Sequence, residues 1–206
     1  MKIICIGRNY LEHARELNSP LPAEPVFFIK PETSLVIGDH EFILPDFSNE
    51  IHHEVEVVYL VGKDGKNIPE SQALDYLEAV GIGFDFTARD LQQRCKEKGL
   101  PWEIGKAFDH SAPIAAHFFP VKSMSDLTEI SFHLDINGSR KQEGFTGDMI
   151  FSIEKIVAYV SRFMTLQRGD LIFTGTPEGV GPVKHGDIME GFLEGNKMLT
   201  CRIRQA

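Results

Sequence analysis

The sequence predicts an α+β domain dominated by antiparallel or mixed β-sheet, and three observations carry that prediction. Short apolar runs of strand length, rich in Val, Ile and Phe, recur from the first residues to the last. Helix signals are few and do not alternate with these runs in the βαβ order that a parallel sheet requires. The pair Asn137, Gly138 closes one such run, residues 130–136, and is a strong two-residue hairpin signal of an antiparallel turn.

Taken in order, residues 2–6 form a short β-branched run and read as the first strand. Asn9 is placed to cap a short helix, with Glu12 completing a variant of the capping box. That helix runs to about Leu17 and stops before Pro20, which disfavours helix at the preceding residue. Residues 25–29 read as a buried strand and 54–61 as a strand of period 2. Residues 69–77 read as helix, and 79–84 as a glycine-interrupted strand leading into Asp85. Thr87 is expected to cap the next helix, whose body reaches Lys98 before Gly99 and Pro101 end it. In the second half, residues 130–136 lead into the Asn137, Gly138 turn. Ser152 caps a helix with an apolar stripe at Ile153, Ile156, Val157 and Val160. Residues 171–174, 188–194 and 197–204 read as strands, the last two joined at Gly195 and Asn196.

A chain of 206 residues suits one domain spanning 1–206 with a real core. The formal net charge of −9 disfavours broad binding to nucleic acid or to anionic membranes. An acidic chain that handles an anionic substrate needs local positive charge, from a metal or from a few placed Lys and Arg. Cys5, Cys95 and Cys201 form no CxxC pair and suggest neither a disulfide framework nor a zinc site. The first residues lack a signal-peptide apolar stretch, and no apolar run approaches the ~18 residues of a membrane span. The expectation is a soluble, cytoplasmic protein.

The segment His52-His53-Glu54-Val55-Glu56 carries the most chemical information. Residues two apart on a strand share a face, so Glu54 and Glu56 project together. Two carboxylates ~5 Å apart repel by roughly 3 kcal/mol at an effective dielectric near 20. A hard cation such as Mg²⁺ or Mn²⁺ would offset this, and the other reading is a solvated strand face carrying two unrelated acids. Asp85 suits a third ligand, and equally a turn or pre-cap acid. His52 and His53 point to opposite faces, which leaves zinc weakly supported. His13 and Glu16, three apart on the first helix, form either a base with its orienting carboxylate or an exposed helical pair. Lys106, in a small apolar neighbourhood, suits an anion or a snorkelling surface role. The glycine-rich turn from Thr174 to Gly181 could grip an anion through its backbone or serve as a plain loop.

In their order these motifs resemble the fumarylacetoacetate hydrolase superfamily, and especially its short acylpyruvase/oxaloacetate decarboxylase branch. The resemblance spans residues 4–204. It rests on Gly7-Arg8-Asn9-Tyr10 with His13 and Glu16, on the His52 to Glu56 segment, and on Asp85-Phe86-Thr87-Ala88-Arg89-Asp90-Leu91-Gln92. It continues through Lys98-Gly99-Leu100-Pro101-Trp102 with Lys106, Gln142-Glu143-Gly144, and Met149-Ile150-Phe151-Ser152. It closes with Arg168-Gly169-Asp170 and the run from Thr174 to Val183.

The resemblance implies a rolled, mixed or antiparallel β-sheet core with peripheral helices, and a homodimer. It implies Mg²⁺ or Mn²⁺ on Glu54, Glu56 and Asp85, with Gly7 standing near the place of a further acidic ligand in longer members. His13 is the implied base and Glu16 its partner, with Lys106 and Thr176 near the substrate carboxylate and oxo group and Arg89 and Gln92 approaching substrate. The implied activity is hydrolysis of acylpyruvates to pyruvate and a carboxylic acid, or decarboxylation of oxaloacetate, both through a pyruvate enolate. Alternatives are a fumarylpyruvate hydrolase, a 2-hydroxyhepta-2,4-diene-1,7-dioate-type isomerase or decarboxylase, and an inactive metabolite-binding module.

Overall fold

The computed structural model describes residues 1–16, 20–123, 127 and 129–205. The apolar runs pair into three sheets. The largest is mixed and has the order Val26–Lys30, Ile3–Gly7, Leu171–Phe173, Val55–Val61, Leu77–Phe84, Ala112–Ile114 and Leu35–Ile37, with Phe119–Pro120 added beside Leu77–Phe84. A five-stranded sheet runs Ser139–Phe145, Ser131–Ile136, Ile188–Leu193, Asn196–Arg204 and His40–Ile43. Three short pieces, Gly181–Pro182, Ile51–His53 and Thr87–Ala88, form the third. These curled sheets with few helices are the expected α+β roll.

The period-2 strand Val55–Val61 is buried along both faces except at Leu60, because it is central in its sheet and packed on each side. The Asn137, Gly138 turn forms with both residues at positive φ, 52° and 74°, as a tight hairpin requires. Ser152 caps the helix Ile153–Phe163 by accepting from Lys155 N, and its stripe Ile153, Ile156, Val157 and Val160 is buried. Gly99 ends Arg89–Lys98 in the left-handed conformation at φ 63°.

Several local readings are corrected. Asn9 caps nothing: its Nδ2 donates to Thr174 O at 2.8 Å and its Oδ1 accepts from Phe151 N at 2.8 Å. Thr87 lies in a short strand, and the helix after it has Ala88 at its N-cap with no side-chain bond. The Val26–Lys30 strand is half-buried except at Lys30. Glu70–Tyr76 is a 3₁₀ helix. The turn before the last strand falls on Glu194 and Gly195, one residue earlier than expected, both at positive φ. The first helix is Leu11–Glu16, and Leu17 lies outside the described residues. No helix among the described residues is long and apolar enough to cross a membrane.

Candidate active site

Two chain crossings build the site. At Glu54 the chain passes from Ile51–His53 into Val55–Val61, and after Asp85 it passes from Leu77–Phe84 towards Thr87–Ala88. The register pairs Val55 with Phe84, so the two crossings meet, and Asp85 N donates to Glu54 O at 2.8 Å. Glu56 pairs with Gly83. A Cβ on Gly83 would stand 2.8 Å from the Phe173 ring and 2.9 Å from Pro113 O, so a side chain there would force the sheet apart beside Glu56.

The segment after Leu171–Phe173 closes the other side. Thr174 Oγ1 donates to Val57 O at 2.9 Å and Thr176 Oγ1 to Val55 O at 2.8 Å, which turns Gly175 N towards Glu56 Oε2 at 2.7 Å. Gly175 holds φ 97°, and a Cβ there would lie 2.8 Å from that of Asn9. Oxygens of Glu54, Glu56 and Asp85 thereby converge within 4.8 Å of one another, all three residues buried.

Three cations meet these acids. Lys106, 3% exposed, donates from Nζ to Glu54 Oε2 at 2.7 Å, Asp85 Oδ2 at 2.6 Å and Thr87 Oγ1 at 2.6 Å, which engages all three of its N–H bonds. Lys30 Nζ lies 2.7 Å from Asp85 Oδ1 and donates to Ser111 Oγ at 2.9 Å. Arg89 Nη2 donates to Glu54 Oε1 at 2.6 Å, and its Nη1 to Gln92 Oε1 at 2.7 Å.

Burial works to raise the Glu54 carboxyl, but Lys106 and Arg89 outweigh it and hold Glu54 well below the usual carboxylate range. Burial likewise works against the Lys106 ammonium, yet Asp85 and Glu54 push it up to about 12. Glu56 differs. Burial, with Asp85 and Glu54 beside it, drives its carboxyl well above the usual range, and its one hydrogen bond among the described residues comes from Gly175. A buried carboxylate with two acidic neighbours and no cation of its own, in a cluster offering only oxygen, fits a hard divalent ion.

His13 Nδ1 lies 3.1 Å from Glu16 Oε2, and Gly179 N donates to Glu16 Oε1 at 3.1 Å. The pair is therefore tied to the glycine-rich turn, with His13 buried at 6% exposure and Glu16 on the exposed side. A carboxylate partner fixes the proton on Nδ1 and leaves the Nε2 lone pair free. Burial lowers the imidazole below 6.5 despite Glu54 and Glu16 nearby.

His13, Glu54, Glu56, Asp85, Arg89, Gln92, Lys106 and Thr176 line one narrow cleft, and Glu16 stands beside His13. Every site residue expected from sequence is thus brought together. His52 and His53 are outside the acidic cluster: His53 Nδ1 lies 3.0 Å from Gln142 Oε1, and Arg89 Nε donates to His52 Nδ1 at 3.5 Å. Sequence reasoning missed Lys30, and it named Gln142 and Arg8 only within motifs of the resemblance, without a role. Lys30 gave only the signal of a charge closing an apolar strand. Gln142 Oε1 accepts from Val55 N at 3.0 Å and its Nε2 donates to Thr176 Oγ1 and Pro177 O, each at 2.9 Å. Its flanks on the Ser139–Phe145 strand are exposed, so no local pattern marks it.

The family model for the fumarylacetoacetate (FAA) hydrolase C-terminal domain matches residues 2–204. The chain is 43% identical over 204 residues to a mouse (Mus musculus) protein named oxaloacetate tautomerase FAHD1, mitochondrial, covering 99% of this chain and 92% of that one. It is 42% identical to a Dictyostelium discoideum protein named oxaloacetate decarboxylase, mitochondrial, covering 94% and 89%. Among solved structures, fumarylpyruvate hydrolase from Pseudomonas aeruginosa, in complex with Mn²⁺ and pyruvate, superposes with a TM-score of 0.95 at 39% identity, covering 100% of this chain and 90% of that one.

Proposed function

This chain belongs to the fumarylacetoacetate hydrolase family, and we propose that it is a divalent-metal enzyme of enol chemistry, acting on oxaloacetate and on short acylpyruvates. The observation that carries the proposal is the convergence of Glu54, Glu56 and Asp85 within 4.8 Å in a buried cleft. When bound there, Mg²⁺ or Mn²⁺ supplies Lewis acidity toward the carboxylate and 2-oxo group of the substrate.

The chain's own residues divide the remaining work. Lys106 and Arg89 keep Glu54 ionised, and Lys106 and Lys30 both pair with Asp85, which fixes the two carboxylates in place at the floor of the cleft. Thr176, fixed by Gln142 and Val55 O, and Gln92, fixed by Arg89, present polar groups to substrate. Glu16 orients His13 so that Nε2 faces the cleft as a base.

Tautomerisation, decarboxylation and hydrolysis all break a bond to the carbon beside the 2-oxo group and leave its electron pair in an enolate. In tautomerisation His13 takes the C3 proton. In acylpyruvate hydrolysis it takes a proton from water as the oxygen attacks the distal carbonyl. Decarboxylation releases CO₂ and needs no base. One constellation therefore supports all three reactions, and the names of the relatives favour oxaloacetate, while the fumarylpyruvate hydrolase neighbour favours acylpyruvate hydrolysis.

The test is product analysis with oxaloacetate and acetylpyruvate in the presence of Mg²⁺ or Mn²⁺. Pyruvate from either, or accelerated keto–enol exchange of oxaloacetate, is expected. Absence of all three with metal-loaded, folded protein would refute the reading.

A further inference from the structure

The mouth of the cleft is positive where its floor is acidic. Arg8, Lys96 and Trp102 line the same cleft as Glu54, Glu56 and Asp85. The Arg8 guanidinium carbon and Lys96 Nζ each lie 5.9 Å from the centre of the Trp102 ring. Phe28 braces that ring edge-on, with centroids 6.1 Å apart.

Lys30, Arg89 and Lys106 are each committed to a carboxylate. Arg8 and Lys96 have no carboxylate partner among the described residues, in a chain whose net charge is −9. Two unpaired cations sharing one aromatic ring repel each other, and burial, then Arg89 and Arg8, bring the Lys96 ammonium down to about 8. Arg8 is also held at φ 60°, a conformation non-glycine residues rarely adopt, between the Ile3–Gly7 strand and the anchored Asn9. Strain at a cleft residue whose charge has no internal partner points to an external one.

We propose that Arg8 and Lys96, carried on Trp102, form a subsite for the second carboxylate of a dicarboxylic 2-oxo acid whose first carboxylate and oxo group lie at the acidic floor. The subsite rests on the functional reading above and narrows it. Oxaloacetate carries a carboxylate at each end, whereas acetylpyruvate ends in a methyl ketone. Arg8 offers a planar fork suited to a carboxylate, Lys96 adds a point charge, and the indole holds a position beside both. The subsite therefore selects diacids over acylpyruvates with a neutral tail.

The experiment compares KM and kcat for oxaloacetate and acetylpyruvate in the Mn²⁺-supplied enzyme and in Arg8→Gln and Lys96→Gln, with acetylpyruvate turnover by the same preparations reporting on their folding. The ratio of the oxaloacetate KM to the acetylpyruvate KM is expected to rise roughly tenfold or more in each variant. Kcat should change less. A ratio that stays within about twofold of the unmodified enzyme in both variants would overturn the subsite, leaving the wild-type activities and the functional reading intact. An unmodified enzyme that turned over neither substrate would refute the functional reading, and the subsite with it.

Discussion

Lys106 Nζ stands 2.6 Å from Asp85 Oδ2 inside the protein, with its remaining N–H bonds directed at Glu54 and Thr87. Breaking a buried ion pair from one side leaves uncompensated charge and costs about 3–5 kcal/mol. Lys106→Met should therefore destabilise metal-free protein by roughly that amount, measured by urea denaturation in the presence of a chelator. Mn²⁺ should restore more stability to this variant than to the wild type, because it replaces the lost positive charge. Equal responses to Mn²⁺ would count against a shared carboxylate floor.

His13 separates reactions that need a base from one that does not. His13→Asn should slow acylpyruvate hydrolysis and oxaloacetate tautomerisation by roughly 10²–10⁴-fold. Decarboxylation of oxaloacetate, followed by CO₂ release, should be largely spared. Parallel loss of all three activities would refute this division.

The same residue sets a pH dependence. A base works unprotonated, and burial lowers the His13 imidazole below 6.5. Hydrolytic kcat/KM should accordingly hold steady as pH falls through 6.5 and decline only at a lower pH, where His13 takes up its proton. The Glu16→Gln variant removes a carboxylate that works to raise the imidazole, so its acid limb should move lower still. A profile unaltered by Glu16→Gln, at an unchanged rate, would show that the pair takes no part.

Gln142 ties the Ser139–Phe145 hairpin strand to Val55 N, Thr176 and Pro177. Gln142→Ala leaves several buried polar groups unpaired at about 1–3 kcal/mol each, partly relieved by water. A loss of roughly 2–4 kcal/mol in chemical denaturation is expected, with a raised KM from a loosened Thr176. A fully stable variant would show that water takes over these bonds.

Much of the site was legible in the sequence because the two-residue spacing of Glu54 and Glu56, the strand leading into Asp85 and the order of the motifs are all local features. The strand expected from Glu54, however, begins only at Val55, and Glu54 sits at the crossing between two strands. Two facts that complete the floor depend on distant pairing. The register of Val55 with Phe84 brings Asp85 beside Glu54, and Lys30 reaches Asp85 from the neighbouring half of the largest sheet. The local readings that failed share one cause. Asn9 and Thr87 have the chemistry of helix caps, but tertiary partners claim their side chains: Phe151 and Thr174 for Asn9, Lys106 for Thr87. The choice among tautomerisation, decarboxylation and hydrolysis has no local signature, since the same residues serve each.

The most direct measurement is Mn²⁺ binding to chelator-stripped protein, followed by electron paramagnetic resonance, in the wild type and in Glu56→Gln and Asp85→Asn. The account predicts one tightly bound ion per wild-type chain, with binding sharply weakened in both variants and turnover restored in step with occupancy. Full activity in the stripped protein, or undiminished Mn²⁺ binding by both variants, would contradict it.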